Sequence, residues 1–341
     1  MSGTSLDGVD LVYAKFELSK NYSFKIIYSE TISYSKKWMN SLKEAFYYNK
    51  KQLQEIDIKY GVYLGELILN FIKKNNINTI DFVASHGHTI HHQPEKNYTL
   101  QIGNGQIIAN TTKIKTICDF RTQDVALNGQ GAPLVPIGDK LLFSNYTYCL
   151  NLGGFANISF DNSKRIAFDI CPVNIVLNHY VNKLGFAYDN KGKIAETGKI
   201  NTKLLNQLNQ LDFYKTDQPK SLGYEFVTET IFPLIDDFNL TEKDILRTYI
   251  EHVAYQITNK IKLKGSVLIT GGGAFNLFLI HRIQFFSENE IIIPNKTIID
   301  FKEALIFGFL GLRKLETKIN CLQSVTGANK DHSSGFVFLP Q

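Results

Sequence analysis

Two small-residue turns and one aspartate carry most of the chemistry this sequence suggests. The chain opens MSGTSLDGVD, where Ser, Gly and Thr crowd a tight turn that feeds directly into a β-branched run. Small residues let backbone N–H groups approach phosphate oxygens, and Thr4 and Ser5 add hydroxyl donors. Asp7 and Asp10 are spaced to hold a magnesium ion, directly or through its waters. A plain hairpin turn at Leu6-Asp7-Gly8-Val9 would use the same residues with no ligand. The second turn, LITGGGAFN at Leu268 to Asn276, sets three consecutive glycines between a strand and a helix. A nucleotide can lie over such backbone with the helix N-terminus facing its phosphates. Three glycines cost considerable chain entropy, which favours a binding role over a bare turn.

The aspartate is Asp169, in FDICPVN at Phe168 to Asn174, which follows the glycine turn NLGGFAN at Asn151 to Asn157. Pro172 suits the first turn of a helix. A carboxylate at a strand end beside a helix start can act as a general base, or can simply cap the helix. SHGHTIHH at Ser85 to His92 brings four histidines together. No H-E-x-x-H pattern and no nearby ligand spacing support zinc, so these groups read as sugar-hydroxyl contacts or as a solvated loop around Gly87. In DFRTQDVALNGQGAP, Arg121 and Asp124 could meet a carboxylate and sugar hydroxyls, or merely pair with each other.

The elements that position these residues alternate. Strand-like runs cover 9–16, 24–28, 79–85, 99–102, 114–119, 146–152, 156–160, 166–170, 266–270 and 290–293; helical spacing covers 55–74, 174–183, 242–262, 276–286 and 301–315. The order predicts an α/β protein with mixed sheets, in which a strand meander precedes crossover helices once in each half. Two domains are expected: 1–127, with about 310–341 packing back on it, and 128–309. The turn residues of LNGQGAP mark the linker.

Composition excludes several classes. The 341 residues are 44% hydrophobic and 20% charged, an ordinary globular balance. Net charge is +5, from 37 basic and 32 acidic residues, and the lysines are scattered, so nucleic acid is not indicated. The four cysteines, Cys118, Cys149, Cys171 and Cys321, form no C-x-x-C pair and suit a reducing, cytoplasmic setting. Neither a signal peptide nor an apolar stretch of bilayer length is apparent. There is no G-x-x-x-x-G-K-[ST], no H-R-D or D-F-G set and no G-x-S-x-G elbow.

Taken together and in order, the strings MSGTSLDGVD, SHGHT, TLQIG, DFR, GQGAPLVP, NLGGFANIS, PKSLG, TGGGAFN, EAL and SVTGA span nearly the whole chain. With them the sequence resembles the anhydro-N-acetylmuramic acid kinases, in the superfamily of actin, heat-shock chaperones and sugar kinases. The resemblance implies two actin-like (ribonuclease H-like) domains flanking a nucleotide- and sugar-binding cleft. It implies that ATP, Mg2+ and water open the anhydro ring of 1,6-anhydro-N-acetylmuramic acid and leave N-acetylmuramic acid 6-phosphate and ADP, in peptidoglycan recycling. Asp169 aligns with the family's base. Gly3, Thr4, Ser5, Leu6, Asp7, Gly8, Val9 and Asp10 would hold the phosphates, with metal at Asp7 and Asp10. Gly153, Gly154, Gly271, Gly272, Gly273 and Asn276 would bind the rest of the nucleotide. Ser85, His86, Arg121, Asp124 and Glu303 would face the sugar. A homodimer is implied, with no membrane partner.

Two departures stand out. The family segment at Asp169 reads like DTGPGN, so Ile170, Cys171 and Val173 replace a threonine and two glycines, and a phosphate contact could be lost. Family members also carry a strand ahead of the opening turn, whereas here Met1 opens it, which leaves Val9 to Phe16 short of ladder partners; a misplaced start codon is the simplest expectation. These departures keep two alternatives open: an ATP-binding protein of weak or no sugar transfer, and a same-fold kinase for another anhydro sugar.

Overall fold

Alternating apolar and polar residues after the opening turn build a long hairpin. In the computed structural model, which describes residues 1–3, 6–19, 21–215 and 221–341, β1 (Gly8–Leu18) and β2 (Tyr22–Ser33) pair antiparallel from Gly8 opposite Ser33 to Leu18 opposite Tyr22. Gly8 has to be glycine, because a Cβ there would sit 2.4 Å from the Ile32 carbonyl oxygen. The helix Lys50–Lys74 follows, starting earlier than its apolar spacing suggests. Asn49 and Gln52 form a reciprocal capping box: the Asn49 side chain accepts from Gln52 N at 3.1 Å, and the Gln52 side chain accepts from Asn49 N at 3.0 Å.

The chain divides into two units, residues 1–142 with 301–341, and residues 143–300. The first boundary falls later than the 127/128 junction expected from turn residues. The helix Pro136–Leu142 belongs to the first unit. A Cβ on Gly138 would lie 2.6 Å from Ile306, and buried Asp139 pairs with buried Lys302 at 2.8 Å. The GQGAP segment is a loop of the first unit rather than a linker. The second boundary lies inside the helix Lys296–Leu315, which starts ahead of the expected Phe301 because the Asn295 side chain accepts from Ile298 N at 3.0 Å.

The second unit is organised around one five-stranded sheet. β7 (Tyr148–Leu152), β8 (Phe155–Asn162) and β9 (Lys164–Pro172) form an antiparallel meander. β10 (Ser266–Thr270) adds parallel to β7, and β11 (Glu290–Ile292) adds parallel to β10. The resulting order, β11-β10-β7-β8-β9, is the ribonuclease H-like order of an actin-like domain. Leu150, Ile158, Ile170 and Ile269 are fully buried from the sheet side, against Tyr249, Val253 and Ile257 of the helix Glu242–Thr258. Burying that much aliphatic surface is what holds the sheet and its covering helix together.

Among its described residues the first unit has three smaller sheets. One is the β1-β2 hairpin. A second joins β4 (His88–Gln93) to β5 (Tyr98–Ile102), so the histidine-rich segment is strand from His88 on, and its start, Ser85 to Gly87, is buried rather than a solvated loop. The third joins β3 (Val83–Ala84), β6 (Thr116–Cys118) and β12 (Phe336–Phe338), with β3 parallel and β12 antiparallel to β6. β3 is much shorter than the 79–85 run of strand formers. The two strands expected before the first helix, 9–16 and 24–28, are both present and longer than expected, as β1 and β2. All four cysteines are free and buried, and no described helix is long and apolar enough to cross a membrane.

Candidate active site

In the first unit the opening turn is tied down at both ends. Met1 and Asp10 exchange two backbone hydrogen bonds of 2.8 Å each, one from the Met1 amine to Asp10 O and one from Asp10 N to Met1 O. Ser2 Oγ is buried and bonds Tyr34 Oη at 2.6 Å and His88 Nδ1 at 2.8 Å. Leu6 sits in left-handed backbone with φ 57°, which a branched side chain seldom adopts. Asp7 is exposed, and Asp10 is half-buried with its carboxylate accepting from Thr31 Oγ1. Hard carboxylate oxygens near the surface, open to waters, are the donor set that suits magnesium. Thr4 and Ser5 lie outside the described residues.

The sugar-facing candidates of this unit form a connected set. Arg121, placed at the start of the helix Thr122–Ala126, donates from Nε and Nη2 to His86 Nε2 at 3.1 and 2.9 Å, and from Nη1 to Gly131 O at 2.7 Å. His86 Nδ1 lies 2.9 Å from Gly87 O. The ring therefore carries its proton on Nδ1 and stays neutral; burial first, then the Arg121 charge, holds its pKa well below the ordinary range. Glu303 is exposed and lies near Arg121, the Met1 amine and Asp10. Desolvation by the surrounding protein raises its carboxyl pKa, and Arg121 and the amine oppose that rise. Ser85 is buried, and its hydroxyl accepts from Gly87 N at 3.3 Å.

Asp124 takes a different position from the one expected. It is wholly buried and accepts from Gly131 N at 2.7 Å through Oδ2 and from Thr326 Oγ1 at 2.7 Å through Oδ1. Cys321 Sγ and His332 Nε2 also face Oδ1, at 3.4 and 3.5 Å. Its carboxylate braces the GQGAP loop and the SVTGA tail, and that loop supplies the carbonyl that holds Arg121. An arginine–aspartate pair is not formed; the two residues act on the same loop from opposite ends.

In the second unit Asp169 lies inside β9, opposite Asn157, where a bulge between Ala156 and Asn157 lets Cys171 pair with Ala156. Bulges re-aim side chains locally. The helix Asn174–Lys183 starts at Val173 with no side-chain cap, so Asp169 is not a helix cap. One carboxylate oxygen, Oδ2, accepts from Leu222 N at 2.9 Å. Burial raises the Asp169 pKa, and the Leu222 bond works against that rise. Leu222 belongs to the PKSLG string, whose role sequence reading left blank; Pro219 and Lys220 lie outside the described residues. Ile170, Cys171 and Val173, the departures from the family segment, are fully buried in the core of this unit.

The glycines of this unit separate into two kinds. Gly271 and Gly273 are required by packing. A Cβ on Gly271 would lie 2.6 Å from Asn151 Oδ1, and Gly271 has φ +81°; a Cβ on Gly273 would lie 2.6 Å from Leu152 Cβ. Gly154 and Gly272 are not so required, since their nearest neighbours would be 3.9 and 3.8 Å away. Gly153 is intermediate, with Asn151 Nδ2 at 3.3 Å. The carbonyls of Gly153 and Gly154 accept from Asn174 N at 3.3 Å and Val173 N at 2.7 Å, which ties the glycine turn to the helix start. Asn276 caps the helix Leu277–Phe286, accepting from Leu279 N at 3.0 Å.

The model of the family described as "Anhydro-N-acetylmuramic acid kinase" matches residues 1–340. A protein of that description from Hydrogenovibrio crunogenus is 33% identical over 361 aligned positions, covering 100% of this chain and 97% of its own length. One from Mannheimia succiniciproducens is 33% identical over 364 positions, covering 99% and 97%. Among solved structures, the activator of 2-hydroxyisocaproyl-CoA dehydratase from Clostridium difficile with bound ADPNP aligns at TM-score 0.41 and 14% identity, over 90% of this chain and 98% of that one.

Proposed function

The chain belongs to the anhydro-N-acetylmuramic acid kinase family, a family of phosphotransferases with an alcohol acceptor, and from that membership we propose that it opens 1,6-anhydro-N-acetylmuramic acid with water and phosphorylates the freed 6-oxygen from ATP. Water adds to the anomeric carbon, the bridge C–O bond breaks, and the released oxygen takes the γ-phosphoryl group. The products are N-acetylmuramic acid 6-phosphate and ADP.

The observation that carries this reading is Asp169. It is half-buried, accepts from Leu222 N at Oδ2, and has a pKa raised by burial. Such a carboxylate is a stronger base than an exposed one and is poised to take the proton of the attacking water. Gly3 and Leu6 to Asp10 would hold the phosphates, while Gly154 and Gly272 leave room for the nucleotide. A magnesium ion at Asp7 and Asp10 would neutralise developing charge on the phosphates. Arg121, with a planar guanidinium, suits the lactyl carboxylate, and Ser85, His86 and Glu303 the sugar oxygens. Asp124 acts through the loop that it braces. On this reading the enzyme works in the cytoplasm, as a homodimer, in recycling cell-wall sugar.

The test measures ADP release with ATP alone, with anhydro-N-acetylmuramic acid, and with an anhydro sugar that lacks the lactyl group. Turnover with the lactyl sugar only is expected. Slow release that neither sugar changes would instead mark a nucleotide-binding protein without transfer.

A further inference from the structure

Three side chains of different donor chemistry meet inside the first unit. Asp124, Cys321 and His332 are all buried, and Asp124 Oδ1, Cys321 Sγ and His332 Nε2 lie within 4.8 Å of one another. Sγ is 3.4 Å and Nε2 3.5 Å from Oδ1. A tetrahedral zinc ion held by thiolate, imidazole and carboxylate sets the sulfur and the nitrogen each about 3.3–3.7 Å from the oxygen, given bond lengths of about 2.3, 2.0 and 2.0–2.2 Å.

Backbone pairing places two of the donors. Cys321 and His332 form an isolated antiparallel bridge, in which Cys321 N donates to His332 O at 3.1 Å and His332 N to Cys321 O at 3.2 Å. Directly opposed residues of such a bridge send their side chains to the same face. The neighbouring Asn320 locks the bridge: its Nδ2 donates to Leu310 O at 3.0 Å and Ser334 O at 2.9 Å, and its Oδ1 accepts from Ser334 N at 2.7 Å. Asp124 comes from the helix Thr122–Ala126. Its Oδ1 accepts from Thr326 Oγ1 and its Oδ2 from Gly131 N, both at 2.7 Å. Such outer contacts orient a carboxylate that ligates a metal.

The histidine carries the argument furthest. His332 Nδ1 lies 3.1 Å from Lys330 O. A carbonyl only accepts, so Nδ1 bears the proton and Nε2 of the neutral ring bears a lone pair. Nε2 is buried, has no hydrogen-bond partner among the described residues, and faces a carboxylate oxygen. Two acceptors facing each other out of water need a positive charge between them, either a second ring proton or a cation. A second proton would satisfy Nε2 and leave the sulfur with no part in the cluster. A metal ion uses all three donors, and the bond from Nδ1 to a backbone carbonyl is the outer contact that metal-bound imidazoles make.

We propose that Asp124, Cys321 and His332 form a structural site for a borderline-soft divalent cation, zinc above all, with a water in the fourth tetrahedral position. Thiolate and imidazole set this site apart from Asp7 and Asp10, whose hard oxygens suit magnesium. Burial and the Asp124 charge keep the Cys321 thiol protonated while no ion is bound. Binding forms the metal–sulfur bond and releases the thiol proton to solvent. The ion would clasp the tail to the helix that carries Asp124, and Asp124 in turn holds the loop whose Gly131 carbonyl fixes Arg121.

The test uses the untagged 341-residue chain, stripped with a chelator, dialysed, and given Zn2+ or Co2+ alone. These readouts need no substrate, so the result stands apart from the assigned reaction. Elemental analysis is expected to find one zinc per chain. Co2+ should give an intense sulfur-to-cobalt charge-transfer band, unchanged by excess Mg2+. Zinc at about a hundred times its Kd should raise Tm by about 5 °C or more. Cys321→Ser should abolish the sulfur band, and both Cys321→Ser and His332→Gln should weaken zinc binding at least tenfold, whereas Cys149→Ala should change neither. In the unsubstituted chain with zinc bound, nitrogen NMR should find the His332 ring protonated at Nδ1 alone. A folded chain that retains no zinc and shows no sulfur–cobalt band would overturn the proposal. So would a band that survives Cys321→Ser, or a His332 ring protonated at both nitrogens in the presence of zinc.

Discussion

The guanidinium of Arg121 donates twice to a single acceptor, His86 Nε2, at 3.1 and 2.9 Å, and its third nitrogen reaches Gly131 O. This fork fixes both the ring's tautomer and the direction of the charge. Lysine offers one point charge and cannot reproduce it. Arg121→Lys should fold normally by circular dichroism but lower kcat/KM for the sugar by about tenfold or more, about 1.4 kcal/mol, mostly through KM. Unchanged kcat/KM would remove Arg121 from substrate positioning.

Asp169 couples activity and stability with opposite signs. Its pKa is raised in the fold from an ordinary 3.8. Protonation therefore favours the folded state. That contribution is complete below pH 3.8 and disappears as pH rises through the raised value. At neutral pH the ionised carboxylate is a net cost. Asp169→Asn keeps an acceptor for Leu222 N, so it should leave Tm at pH 7 unchanged or higher while lowering kcat by about 10²- to 10⁴-fold. The acid limb of the wild-type kcat/KM profile should fall above the usual aspartate range. A variant that retains wild-type turnover would exclude Asp169 as the base.

Asp124 should behave as a brace. Asp124→Asn keeps the shape but gives up the charge and one of its acceptor oxygens, and Gly131 N and Thr326 Oγ1 compete for what remains. The expected loss is about 2–3 kcal/mol in a urea titration, with a rise in KM that tracks the loosened loop. A variant of wild-type stability with sharply weakened sugar binding would instead place this carboxylate on the ligand.

The glycines offer a matched pair. Gly272→Ala adds a methyl group 3.8 Å from its nearest neighbour, so stability should stay within about 0.5 kcal/mol while ATP binding weakens. Gly273→Ala meets Leu152 Cβ at 2.6 Å and should cost about 1–3 kcal/mol. Calorimetric titration with ATP, run beside thermal melts, separates the two outcomes.

What could be read from sequence followed from how local each determinant is. The strands Ser266–Thr270 and the helix Asn174–Lys183 came out at their observed limits because their apolar patterns decide them alone. The HTIHH strand was missed because histidines hid its alternation, and its partner, Tyr98–Ile102, is what makes it a strand. The 79–85 run was read as long as its residue types allow, but a strand extends only where a neighbour pairs with it, and β6 meets β3 at Val83 and Ala84 alone. At the site, glycine turns and Asp169 were visible as motifs. Leu222 against Asp169, Ser2 against His88 and Thr326 against Asp124 were not, because those partners are 53, 86 and 202 positions apart and no spacing rule reaches that far.

The first unit is made from two stretches of chain, 1–142 and 301–341, with the whole second unit encoded between them. On the ribosome this orders events. Residues 143–300 are complete, and free to fold, while the segment that carries Thr326 and β12 is still unsynthesised. Until that segment arrives, the Asp124 carboxylate has Gly131 N but not Thr326 Oγ1, and β6 lacks its outer neighbour. The half that would grip phosphate is thus the last to mature in a growing chain, and nascent chains stalled before residue 320 should show a protease-resistant second half beside a sensitive first.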